Sequence, residues 1–120
     1  MEDIQQLSDI ICRTLDSKKA SDIVVVDIAH LTIVADRFII CSGRSTTQVK
    51  GLAGAVEEEL SKNHGIEPLR TEGVGEGRWA VLDYGSILVH IFHEETRQLY
   101  TLEQLWADGG NVTRYESTPN

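Results

Sequence analysis

The run Ile87-Leu88-Val89-His90-Ile91-Phe92 sets the strongest constraint on this chain. Read as a strand, it puts Ile87, Val89 and Ile91 on one face, and Leu88 and Phe92 flanking His90 on the other. A strand with apolar groups on both faces belongs at the centre of a sheet that is covered on both sides. The neighbouring segments supply the cover and the partners. Asp22-Ile23-Val24-Val25-Val26-Asp27-Ile28 is a β-branched run too short for a helix and reads as a buried strand, with a second strand from Arg37 to Cys41. Arg78 to Tyr84 reads as another, joined to Ile87–Phe92 through Gly85-Ser86 as an antiparallel hairpin.

Two helices fit between these strands. Ile4, Leu7, Ile11 and Leu15 recur at helical spacing between Met1 and Lys19, with acids at the start and lysines at the end, as the helix dipole favours. Ser45 or Thr46 can cap a second helix whose buried stripe is Val49, Leu52, Ala53, Val56 and Leu60 and which stops at Gly65, before Pro68. Gly73, Gly75 and Gly77 read as a flexible connection. After His93 a short helical region carries Arg97, Tyr100, Leu102, Leu105 and Trp106. The pattern is that of a single α/β domain over residues 1–110, with a polar, unpatterned and mobile tail at 111–120.

Composition narrows the function classes. At 120 residues the chain is long enough for a self-sufficient core. Two cysteines, Cys12 and Cys41, are too few for a disulfide scaffold, and they read as small apolar residues of a reducing compartment, the cytoplasm. There is no secretion signal and no apolar run of membrane-spanning length, so a membrane is not an expected partner. The net charge of −8 is not confined to a tail. Such a field repels phosphate, so little direct nucleic-acid contact is expected and a basic protein suits the chain better.

Motifs for chemistry are weak. Gly73-x-Gly75-x-Gly77 precedes a strand, whereas a dinucleotide fingerprint follows one. Ser42-Gly43-Arg44-Ser45 joins a strand to a helix N-terminus, where free N–H groups can hold an anion, but it lacks the lysine and spacing of a phosphate loop. His90 and His93 point to opposite faces and cannot share a metal. Asp22 and Asp27 fall on opposite faces of their strand, and Asp36 and Asp83 have no acid two residues away, so converging metal-binding carboxylates are missing. No cofactor, metal or catalytic residue is assigned.

What stands out is aromatic. Both tryptophans and two of the three tyrosines lie between Trp79 and Trp106, and such side chains often anchor interfaces. Trp79, Val81 and Asp83 share one strand face, Ala80, Leu82 and Tyr84 the other. A charge beside Trp79 predicts a partly covered face with Trp79 exposed.

The blocks Lys19-Ala20-x-Asp22-Ile23, Ala35-Asp36-x-Phe38-x-Ile40-Cys41-Ser42-Gly43, Glu72-Gly73, Trp79-x-x-x-Asp83-Tyr84-Gly85, Val89-His90-x-Phe92 and Arg97-x-x-Tyr100-x-Leu102-Glu103-x-Leu105-Trp106 together resemble the ribosomal silencing factor, or Iojap-related, family. The sequence departs from the family's pattern between Leu31 and Ala35. The resemblance implies a mixed β-sheet packed by helices, with a nucleotidyltransferase-like fold that lacks the catalytic acids. It implies a non-enzymatic translational repressor that binds the large ribosomal subunit through large-subunit ribosomal protein fourteen and hinders joining with the small subunit. Carried over by position, the contact face comprises Trp79, Tyr84, Tyr100, Leu102, Glu103 and Trp106, with Asp83, His90 and Arg97 in supporting roles. The alternatives are a nucleotide-binding or nucleotidyltransferase-like enzyme and a homodimer formed through the aromatic face.

Overall fold

The computed structural model describes residues 3–116. Along the chain come α1 (Ile4–Ser17), β1 (Ser21–Asp27), β2 (Arg37–Gly43), α2 (Thr46–His64), β3 (Arg70–Glu72), β4 (Trp79–Asp83), β5 (Ile87–His93), α3 (Glu94–Leu99), α4 (Leu102–Leu105) and β6 (Val112–Arg114). The strands form one mixed sheet in the order β3-β4-β5-β2-β1-β6. β5 sits inside it, parallel to β2 and antiparallel to β4, with Ile40 opposite His90 and Val81 opposite His90 on the other side. All other pairings are antiparallel.

Local signals set both long helices. Asp3 and Gln6 form a reciprocal capping box at the start of α1, the Gln6 N–H donating to Asp3 Oδ1 at 2.7 Å. Ser45 Oγ accepts from the Gln48 N–H at 3.0 Å, and Gly65, at φ 65°, ends α2 in the left-handed conformation.

The two sheet faces are covered unequally. Leu7, Ile11 and Leu15 of α1 and Val49, Leu52, Val56 and Leu60 of α2 pack on one face against Ile39, Leu82, Ile87, Val89 and Ile91. The opposite face holds a smaller cluster of Val24, Val26, Ile28, Phe38, Ile40 and Phe92, capped only by Trp79, Leu88, Leu102 and Trp106. Buried Cys12 and Cys41 are free thiols, and burial pushes both up to about 12, so they act as apolar filler.

Two expectations change, and one strand carries no sequence signal. Arg70–Glu72 is an edge strand whose residues are all exposed, so it carries no apolar alternation to read. Residues 111–116 are not a mobile tail: Val112–Arg114 pairs with β1 as the far edge, the Asp27 N–H donates to the Asn111 carbonyl, and the Tyr115 N–H donates to the Ile23 carbonyl. An edge held by backbone hydrogen bonds leaves no hydrophobic period in the sequence. Residues 117–120 of that expectation lie outside the described residues.

Nor is the glycine connection simply flexible. A Cβ on Gly73 (φ 73°) would stand 2.0 Å from the Trp79 carbonyl oxygen, and one on Gly77 (φ 74°) would stand 2.6 Å from the Thr46 carbonyl oxygen. Both glycines pin the start of β4 by close approach. Gly73→Ala is therefore expected to lower the unfolding free energy by about 2 kcal/mol or more. Gly75→Ala, which meets open space, is expected to stay within about 0.5 kcal/mol. Urea unfolding of the two variants checks the contrast.

Candidate interaction face

The face without long helices gathers most of the aromatic residues. Trp79 stacks on Phe92 with centroids 4.7 Å apart and lies 5.3 Å from Tyr100. Trp106 meets Phe38 edge-on at 5.4 Å, and Phe38 in turn meets His90 at 4.8 Å. Leu102 packs on the same cluster. Trp79 is half-buried rather than exposed, because Phe92 lies on one side of it and α3 delivers Tyr100 close to the indole. On the short helices and their junction the solvent-facing apolar residues are Leu99 (79 % exposed), Tyr100 (53 %) and Leu105 (78 %), while Leu31, Ile33 and Val34 are exposed on the connection between β1 and β2.

Segments this short do not hold themselves; α4 is a single turn with no side-chain N-cap. Arg97 fastens them. It is buried, and its Nη1 donates to the Asp22 carbonyl at 2.6 Å and to Ser42 Oγ at 2.9 Å, which ties α3 to β1 and β2. Its Nε and Nη2 donate to Glu103 Oε1 at 3.4 and 3.3 Å, which ties in α4. Asp22 sits at a bulge in the β1–β2 pairing with φ 49°, a conformation that aspartate tolerates better than most residues. Glu103 therefore faces inward to Arg97, and its second oxygen is buried without a partner among the described residues. Arg97 is the only basic residue between Glu94 and Asp108. Since it is consumed internally, the charges this segment shows to solvent are acids, Glu94, Glu95 and Asp108.

His90 supports the face from below. The Trp79 indole N–H donates to His90 Nδ1 at 3.1 Å, so the neutral ring carries its hydrogen on Nε2, which is buried without a partner among the described residues. Burial lowers the imidazole from its ordinary 6.5 to about 4. Folding thus excludes a proton that the unfolded chain takes up. The stabilisation is complete above pH 6.5 and is lost as pH falls from there towards 4, by roughly 3 kcal/mol in all. Denaturation midpoints measured between pH 7 and 4.5 should fall more steeply for the wild type than for His90→Gln, which cannot ionise; parallel curves would contradict this assignment.

The remaining residues of interest lie elsewhere. Tyr84 follows β4 on the opposite parity to Trp79 and packs against the α1–α2 core, where burial raises its hydroxyl. Asp83 accepts from the Gly85 N–H and pairs with Arg70, closing the hairpin. The turn before α2 is internally satisfied: Gln48 Oε1 accepts from the Arg44 N–H at 2.6 Å, Gln48 Nε2 donates to the Lys19 carbonyl, and Ser42 Oγ is taken by Arg97. Among the described residues, no three His, Cys, Asp or Glu side chains converge to hold a metal ion. No helix there is long and apolar enough to cross a membrane. A groove of about 800 Å³ runs between α1 and α2, on the other side of the molecule, past Lys18, Gly51, Gly54, Glu58 and Lys62. Leu99 escaped sequence reading, because helices this short have no repeat from which to tell an outward leucine from an inward one.

A family model described as "Ribosomal silencing factor during starvation" matches residues 1–119. The chain is 41 % identical over 93 residues to the ribosomal silencing factor of Bacillus subtilis, an alignment covering 78 % of each protein. It is 36 % identical over 108 residues to that of Halalkalibacterium halodurans, covering 90 % of this chain and 92 % of the relative. A crystal structure of a Chromobacterium violaceum protein superposes with a TM-score of 0.84 at 34 % identity, over 88 % of this chain and 87 % of the other. With a family model matching nearly the whole chain and relatives this similar over most of their length, this protein belongs to the ribosomal silencing factor family.

Proposed function

We propose that the chain is a cytoplasmic, non-enzymatic translational repressor. It docks on the large ribosomal subunit through large-subunit ribosomal protein fourteen and hinders joining with the small subunit. The observation that carries the docking face is the exposure of Leu99, Tyr100 and Leu105 on the α3–α4 segment, whose Leu102 and Trp106 pack with Trp79 on the smaller core. A tyrosine and leucines raised on a firm aromatic base remove apolar area from water at small entropic cost. The acids around them attract a basic ribosomal protein and speed the encounter, while the apolar anchors set specificity. Repression then needs no chemistry, since a bound domain occupies the joining surface.

The nucleotide-binding alternative is disfavoured by the turn before α2, whose Arg44 and Gln48 N–H groups are already bonded within the chain. Isolated large subunits sedimented with the chain, followed by addition of small subunits, test the reading. Wild type should co-sediment and reduce joining. Leu99→Ser and Leu105→Ser, both at exposed sites, should each weaken binding by about 2 kcal/mol with little loss of stability. Normal binding by both variants would move the docking face elsewhere. Binding with undisturbed joining would favour a role in subunit assembly. Concentration-dependent sedimentation of the chain alone reports whether the same face forms a homodimer.

A further inference from the structure

Asn111 lies outside every motif of the sequence and in a segment that reads as tail, yet it is buried. Its side chain is fully used. Nδ2 donates to the Asp27 carbonyl at 2.8 Å and to the Trp106 carbonyl at 2.9 Å, and Oδ1 accepts from the Asp108 N–H at 2.8 Å. Its own carbonyl accepts from the Asp27 N–H at 2.9 Å. The first and last of these fix Asn111 to the end of β1, and the other two fix the chain that leaves α4 at Trp106. One amide group thus bridges the end of β1 and the carbonyl end of α4, the helix of Leu102 and Leu105 that Trp106 closes.

We propose that Asn111 is a positioning residue for docking, holding α4 in its binding shape before the partner arrives. The inference rests on the docking reading given above. Three features of the segment favour such a clamp. α4 is one turn long and lacks a side-chain cap at its start, so it has almost no intrinsic stability. Arg97 holds α4 through Glu103, near its start, whereas the chain leaving it at Trp106 is held by the indole's edge-on contact with Phe38 and by the Asn111 amide. Leu105 is 78 % exposed, so its own burial does little to restrain it. Preorganising a docking segment strengthens association by removing the ordering cost from the binding step. The chemistry of the bridge also selects its residue. Aspartate keeps the acceptor for the Asp108 N–H but puts its second carboxylate oxygen, an acceptor, where Nδ2 donated to two carbonyls, and alanine removes all three of these bonds.

The test uses the full chain with isolated large subunits. Asn111→Ala and Asn111→Asp are expected to bind about tenfold or more weakly than wild type and to shift the Trp106 indole N–H resonance in nitrogen-15 spectra, leaving that of Trp79 close to its wild-type position. Val56→Ala, in the core on the opposite face, serves as a comparison of similar or greater loss in thermal midpoint. It is expected to bind as wild type at a temperature where all variants are folded. Wild-type affinity in both Asn111 variants, or an equal loss in Val56→Ala, would overturn the positioning role and leave the docking reading intact. Failure of the wild type itself to co-sediment would remove both readings.

Discussion

One buried guanidinium holds the aromatic side of this molecule together. Arg97 reaches the Asp22 carbonyl, Ser42 and Glu103, and so joins β1, β2, α3 and α4 at a single point. Burying such a charge costs several kcal/mol unless its donors are used, and here Nε, Nη1 and Nη2 all find acceptors. The strained Asp22 backbone and the inward turn of Glu103 both serve that requirement. Because the only positive charge of the segment is spent internally, its outer surface is left acidic. Internal fastening and external electrostatics are therefore one design.

The uneven cover of the sheet has a similar logic. Two long helices with well-formed caps build the larger core on one side, which leaves the other side to be closed by short pieces. Those pieces depend on tertiary contacts: the Arg97 bridge, the Asn111 bridge and the aromatic stack of Phe92, Trp79 and Tyr100. They end with apolar side chains facing solvent, at the place where the family resemblance puts the partner.

Much of this was legible in the sequence, and the misses have physical causes. The two-faced apolar run of Ile87–Phe92 placed β5 inside the sheet, and Ser45 and Gly65 marked the ends of α2, because capping and alternation are local effects. β3 and β6 were missed because edge strands are specified by backbone pairing with a neighbour distant in sequence. The partners of Arg97 and Asn111 lie as far away and leave no local trace. Strand alternation by itself put Tyr84 and Trp79 on opposite faces, as the structure has them; only the resemblance grouped the two in one contact set. Glu103 was grouped there too, whereas its carboxylate turns in to Arg97.

Hydrogen–deuterium exchange of the chain, free and bound to isolated large subunits, tests the docking face most directly. Slowed exchange should concentrate in α3, α4 and the start of β4 around Trp79, with α1 and α2 unchanged. Protection centred on α2 and the Gly43–Ser45 turn, with the Leu99–Trp106 segment exchanging as in the free chain, would contradict the assignment.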